Sequence, residues 1–111
     1  MRIAIPQYKD EVAPCFDYTV TIVIYTVQKK KIVEQKDYTI SSQWPVDRIR
    51  LLRDQHVDVL ICGGIQDRFE DMVSANGIEV ISWVSGKVEE LLDQYLRHEL
   101  QRDEKVQGTP Q

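Results

Sequence analysis

The strongest constraint on this chain is a change of pattern part-way along it. Thr19 to Val27 is an unbroken run of β-branched and aromatic residues, the clearest strand signal present. Lys31 to Ile40 alternates more weakly and reads as a half-exposed strand near a sheet edge, where its lysines discourage edge-to-edge pairing. Arg2 to Pro6 is a short strand with Ile3 and Ile5 on one face, and Pro6 is expected to end it. Beyond residue 44 the pattern switches. Pro45 suits a first helical position, and Val46, Ile49, Leu52 and His56 follow at helical spacing. Val57 to Cys62 is a short apolar run of the kind found in buried parallel strands, and Gly63-Gly64 breaks it. Gln66 to Asn76 is a second helix with Phe69, Met72 and Val73 inward, stopped by Asn76-Gly77. Ile78 to Val84 is a further strand. Ser85-Gly86 opens a third helix, whose inner face carries Val88, Leu91, Leu92, Tyr95, Leu96 and Leu100.

The order is thus β, β, β, α, β, α, β, α. The first three strands can pair as a meander, whereas the βαβ units demand parallel strands with right-handed crossovers. A five-stranded mixed α/β sheet in the order 3-2-1-4-5, with three helices on its faces, satisfies both demands. This is a ribonuclease-H-like or flavodoxin-like layout. The chain has 111 residues, enough for one core. Residues 1–106 are expected to form a single domain, and 107–111 a frayed, disordered tail.

Composition removes several functions. The net charge is −4, against the basic balance of a protein that binds nucleic acid by phosphate neutralisation. No apolar run reaches the ~20 residues of a membrane span, and the start lacks the apolar stretch of a signal peptide, so a cytoplasmic location is expected. P-loop, dinucleotide and nucleophile-elbow motifs are absent. The first strand carries no carboxylate for a metal-dependent nuclease. His56 reads as a half-buried packing residue and His98 as solvated, so neither pairs obviously with a cysteine. The chain is read as a non-enzyme.

What remains lies at one sheet edge. In such sheets ligands sit beyond the carboxyl ends of the strands, where the winding reverses. Here that point falls between the first and fourth strands. Cys15 follows the first strand, Cys62 ends the fourth, Gly63-Gly64 comes next, and Trp83 follows the fifth. Thiolates bind soft metals and metal–sulfur clusters. The diglycine and the helix start near Ile65 could offer backbone donors to an anionic cargo. Each piece has a plainer reading: Cys62 as core, Gly63-Gly64 as a tight strand-to-helix turn, Trp83 as a core cap, and Trp44 as a packing anchor. Three functions stay open: a cluster carrier, a cofactor-free interaction module, and a thiol-redox protein using Cys15 and Cys62.

Five segments in order resemble one family: residues 1–6 (MRIAIP), 12–17 (VAPCFD), 57–65 (VDVLICGGI), 76–81 (NGIEVI) and 86–91 (GKVEEL). Together they resemble the dinitrogenase iron–molybdenum cofactor biosynthesis family, the NifX-like carriers and the C-terminal domain of NifB. The resemblance implies a ribonuclease-H-like motif. It also implies a non-catalytic carrier or scaffold for an iron–molybdenum or related Mo/Fe/Cu-sulfide cluster, in cofactor biosynthesis or delivery. On the carrier reading, the convergence at the sheet edge makes Cys15 the first-choice metal ligand and Cys62 a second, with Phe16, Gly63, Gly64 and Ile65 in the cofactor-binding set. Implied partners are cluster donor and acceptor proteins and MinD-like iron–sulfur ATPases, and a homodimer is compatible. Many relatives have His-Phe-Gly where this chain has Cys15-Phe16-Asp17, and some end in a Pro-Gly-Cys-like tail that is missing here.

Overall fold

The computed structural model describes residues 1–98 and Leu100. The expected tail at 107–111 and the domain limit at 106 lie outside the described residues. Element order is β1 (Arg2–Tyr8), β2 (Glu11–Val12), β3 (Thr21–Gln28), β4 (Lys31–Thr39), α1 (Pro45–Asp54), β5 (Val59–Ile61), α2 (Asp67–Ala75), β6 (Glu79–Ile81) and α3 (Val88–Leu96). The sheet runs β4-β3-β1-β5-β6, antiparallel on the meander side and parallel across β1-β5-β6. This is the expected order, with one addition: the two-residue β2 turns back antiparallel onto the end of β1.

Strand alternation divides the core into two layers. Ile3 and Ile5 of β1, Val23 and Tyr25 of β3, and Val59 and Ile61 of β5 pack on the face covered by α3, against Val88, Leu91 and Leu92. Ala4, Ile22, Ile24 and Leu60 point the other way, under α1 and α2, against Leu52, Phe69 and Val73. The parallel strands are short and buried on both faces, which explains why Val57 to Cys62 shows no clean alternation of polarity.

Three local expectations change. Pro6 does not end β1: it pairs with Ile22 inside the strand. Its carbonyl accepts from the Ala13 N–H (2.9 Å), on the side where β5 no longer accompanies β1, so the missing proline N–H breaks no ladder bond there. His56 is exposed and left-handed (φ 56°), terminating the turn after α1 instead of packing. Met72 is 40% exposed, because the buried stripe of α2 is carried by Phe69 and Val73.

Leu60 is fully buried at the centre of the parallel strands. Leu60→Ala is therefore expected to lower unfolding free energy by about 2–5 kcal/mol in a urea titration, the range for a leucine cavity in a packed core.

Candidate functional site

The site is built by the segment between β2 and β3. After β1 curls into the β2 hairpin, residues 13–16 fill the lane that β1 has left beside β5. Two backbone bonds secure them there: Gly64 N–H donates to the Pro14 carbonyl (2.7 Å), and Phe16 N–H donates to the Gly64 carbonyl (2.8 Å). These bonds make Cys15 and Gly64 parallel partners. The next lane is closed in the same way, with Trp83 N–H donating to the Gly63 carbonyl (2.9 Å) and Val84 N–H to Cys62 (3.2 Å).

This arrangement gives the diglycine its physical reason. A Cβ on Gly63 would stand 2.6 Å from the Ala13 carbonyl oxygen and 2.8 Å from that of Pro14, closer than real Cβ atoms approach backbone. At Gly64 the same atom would press on the Trp83 ring at 3.1 Å. The glycines admit the protein's own backbone. The crevice expected between the first and fourth strands is occupied by residues 13–16, and the Gly64 N–H is committed to Pro14 instead of facing a cargo.

The expected ligand set separates accordingly. Cys62 has 0% exposure and belongs to the α1/α2-side core with Phe16, Ile65 and Phe69, following the same strand face as Leu60. Phe16 (0%) and Ile65 (3%) are core residues too, so their side chains do not face the surface. Gly63 is buried and Gly64 is half-buried. Cys15 alone opens outward: it is half-buried and its thiol is free. It lines a cavity of about 620 Å³ at the carboxyl rim of β1, together with Tyr8, Lys9, Pro14, Tyr18 and Val20. A shared two-thiol pocket is therefore not formed, and Cys62, closed to water, is inaccessible for thiol exchange with Cys15.

The sequence reading missed the rim and the anchor of this cavity. Tyr8 (65%), Tyr18 (62%) and Val20 (58%) are large apolar groups left exposed around it. Trp83 is 52% exposed and holds a left-handed backbone (φ 63°), a costly conformation for a bulky residue, with its indole lying against Gly64. The anchor is Arg48 of α1. Its side chain is 2% exposed and donates to the carbonyls of Thr19, Ser42 and Trp44, each at 3.0 Å. Burial pulls the Arg48 pKa downward, while the nearby negative forms of Asp47, Asp17, Cys15 and Tyr18 oppose that fall. Asp17 is itself buried, and its Oδ1 has no hydrogen-bond partner among the described residues. The helical spacing of Arg48 next to Ile49 and Leu52 was the available signal, since an arginine on a buried stripe needs acceptors.

The donor chemistry is narrow. Among the described residues no three His, Cys, Asp or Glu side chains gather to hold a metal ion. A bare ion of the zinc type needs about four protein ligands. A preassembled cluster already carries sulfide on its metals and so asks fewer donors of the protein than a bare ion does.

A sequence model of the dinitrogenase iron-molybdenum cofactor family matches residues 1–98. The chain belongs to that family. Among curated proteins none matches the chain. Solved structures share its fold. The protein PH0822 superposes with a TM-score of 0.86 at 20% identity, covering 94% of this chain and 96% of that one. MJ0327 of Methanocaldococcus jannaschii gives 0.78 at 17% identity over 94% and 95%. The apo form of the orange protein from Desulfovibrio gigas gives 0.76 at 18% identity over 93% and 92%. The family match covers all five segments that carried the resemblance.

Two outcomes test this account of the site. Gly63→Ala should destabilise the protein by about 2 kcal/mol or more, because carbonyls of Ala13 and Pro14 must retreat. Arg48→Met should cost about 3 kcal/mol through three abandoned carbonyls. Both are read from urea midpoints at unchanged slope.

Proposed function

We propose that this family member is a non-catalytic carrier or scaffold for a metal–sulfide cluster, anchored by Cys15. One observation carries the reading: the half-buried Cys15 thiol lies in a roomy, mostly apolar cavity at the carboxyl rim of the sheet. The cargo class is an iron–molybdenum or related Mo/Fe/Cu-sulfide cluster, in keeping with the family. Tyr8, Tyr18 and Pro14 would shield such a cargo from water, and the Lys9 ammonium at the rim would offset its negative charge. Cys62 plays no part as ligand in this reading. The absence of turnover, a cytoplasmic setting, and cluster donor or acceptor proteins, MinD-like ATPases among them, belong to the same proposal. No helix among the described residues is long and apolar enough to cross a membrane.

A second reading uses the same surface without a cofactor. The exposed rings of Tyr8 and Tyr18 support it, since amphipathic aromatics of this kind anchor protein interfaces. In that case Tyr18→Ala would weaken capture of a partner and Cys15→Ala would not.

The deciding measurement is visible absorption after oxygen-free reconstitution with iron, molybdenum or copper salts plus sulfide. The carrier reading expects a bound chromophore in the wild type and in Cys62→Ala, and its loss in Cys15→Ala. A colourless wild type, or equal colour in Cys15→Ala, overturns it.

A further inference from the structure

The outer edge of β4 is a separate surface that contributes no residue to the lining of the Cys15 cavity. Every residue from Lys31 to Asp37 is exposed, including Ile32 (46%) and Val33 (56%). Neither Glu34 nor Lys36 forms an ion pair with another described residue of the chain.

The free backbone groups of this edge can be assigned. Ile40 N–H donates to the Val20 carbonyl (2.7 Å), so Val20 and Ile40 are a hydrogen-bonded pair. Moving along the register in twos, Ile22–Tyr38, Ile24–Lys36 and Thr26–Glu34 are also bonded inward. Gln35, Asp37 and Thr39 therefore turn their N–H and C=O groups outward. Val33 is the extra residue where the register slips between Thr26 and Val27.

A second copy of the chain can join such an edge antiparallel, about a two-fold axis normal to the sheet. The side chains then choose the register. Centring the axis on Glu34, Lys36 or Asp37 sets a charge directly opposite its own copy, which is destabilising. Centring it on Gln35 does not. There Glu34 faces the partner's Lys36, Lys36 faces the partner's Glu34, Ile32 faces the partner's Tyr38, and Val33 faces the partner's Asp37. The two Gln35 residues would exchange a pair of backbone bonds at the axis. The Glu–Lys pairs would fall on the intervening positions, where Cα atoms come to about 4.5 Å and side chains are closest.

We propose that β4 is a self-association edge, with two copies pairing antiparallel about Gln35. Charges on an edge strand normally oppose pairing. Here the same charges reject neighbouring registers and reward one. The bulge at Val33 keeps the ladder to about five residues a side, which makes the association weak and salt-sensitive.

Sedimentation equilibrium of the full chain, from micromolar to millimolar concentration at low salt, provides the test. Wild type should show a monomer–dimer equilibrium that shifts toward monomer as salt rises. Lys36→Glu sets Glu34 against the partner's new glutamate and should weaken dimerisation about tenfold or more. The double variant Glu34→Lys/Lys36→Glu restores opposite charges across the axis and should recover the dimer. Gln35→Pro removes an outward N–H without touching the bonds to β3, and should give a folded monomer by circular dichroism. A wild type that is monomeric throughout, a Lys36→Glu variant that dimerises equally, or a double variant that fails to recover would each overturn the proposal. Cys15→Ala should leave the equilibrium unchanged, so this result and the reconstitution result are read separately.

Discussion

Two backbone hydrogen bonds hold the candidate site in being: the Gly64 N–H to Pro14 and the Phe16 N–H to Gly64. They splice residues 13–16 into the sheet beyond the point where β1 leaves it. Phe16 is thereby driven into the core under α2, and Cys15, one residue earlier, is left at the surface. A thiol exposed by a loop alone would wander. This one is placed by a ladder bond on each side, from the Pro14 carbonyl and the Phe16 N–H, as a strand residue would be.

The glycines and the buried arginine serve that same splice from opposite flanks. Gly63 lets the Ala13 and Pro14 carbonyls approach to distances no side chain would permit. Arg48 gathers the Thr19, Ser42 and Trp44 carbonyls, tying the far end of the segment to the start of α1. The three carbonyls take three of the guanidinium's five N–H donors, from Nε and one terminal nitrogen, in a planar arrangement that a lysine ammonium does not offer. Asp17, two residues after Cys15, is buried with its Oδ1 unpartnered among the described residues, and it is one of the acidic groups near Arg48.

The fold was legible because its signals are local and repeated. The β-branched run from Thr19, the helical spacing after Pro45 and the short apolar run before Gly63 are each sufficient to name an element, and chain connectivity then fixes the sheet order. The place of Cys15 in the loop after the first strand was legible as well. Cys62 carried two readings, core residue or ligand, because it ends an apolar run at the rim; the structure places it in the core on the same face as Leu60. The diglycine left two readings open for a related reason. Close approach of glycine to a ligand and close approach to the protein's own carbonyls leave the same mark in a sequence. The rim of Tyr8, Tyr18 and Val20 was invisible because its residues come from both sides of a chain reversal that no periodicity announces.

Trp83 shows what such a frame leaves as a residue of choice. Its backbone has the handedness that glycine adopts freely, yet the chain places its largest side chain there, half in water. The indole shelters the face of Gly64 where a side chain is missing, roofing the clasp against competing solvent. The clasp thus stands beside torsional strain one lane away, at an indole that is half in water.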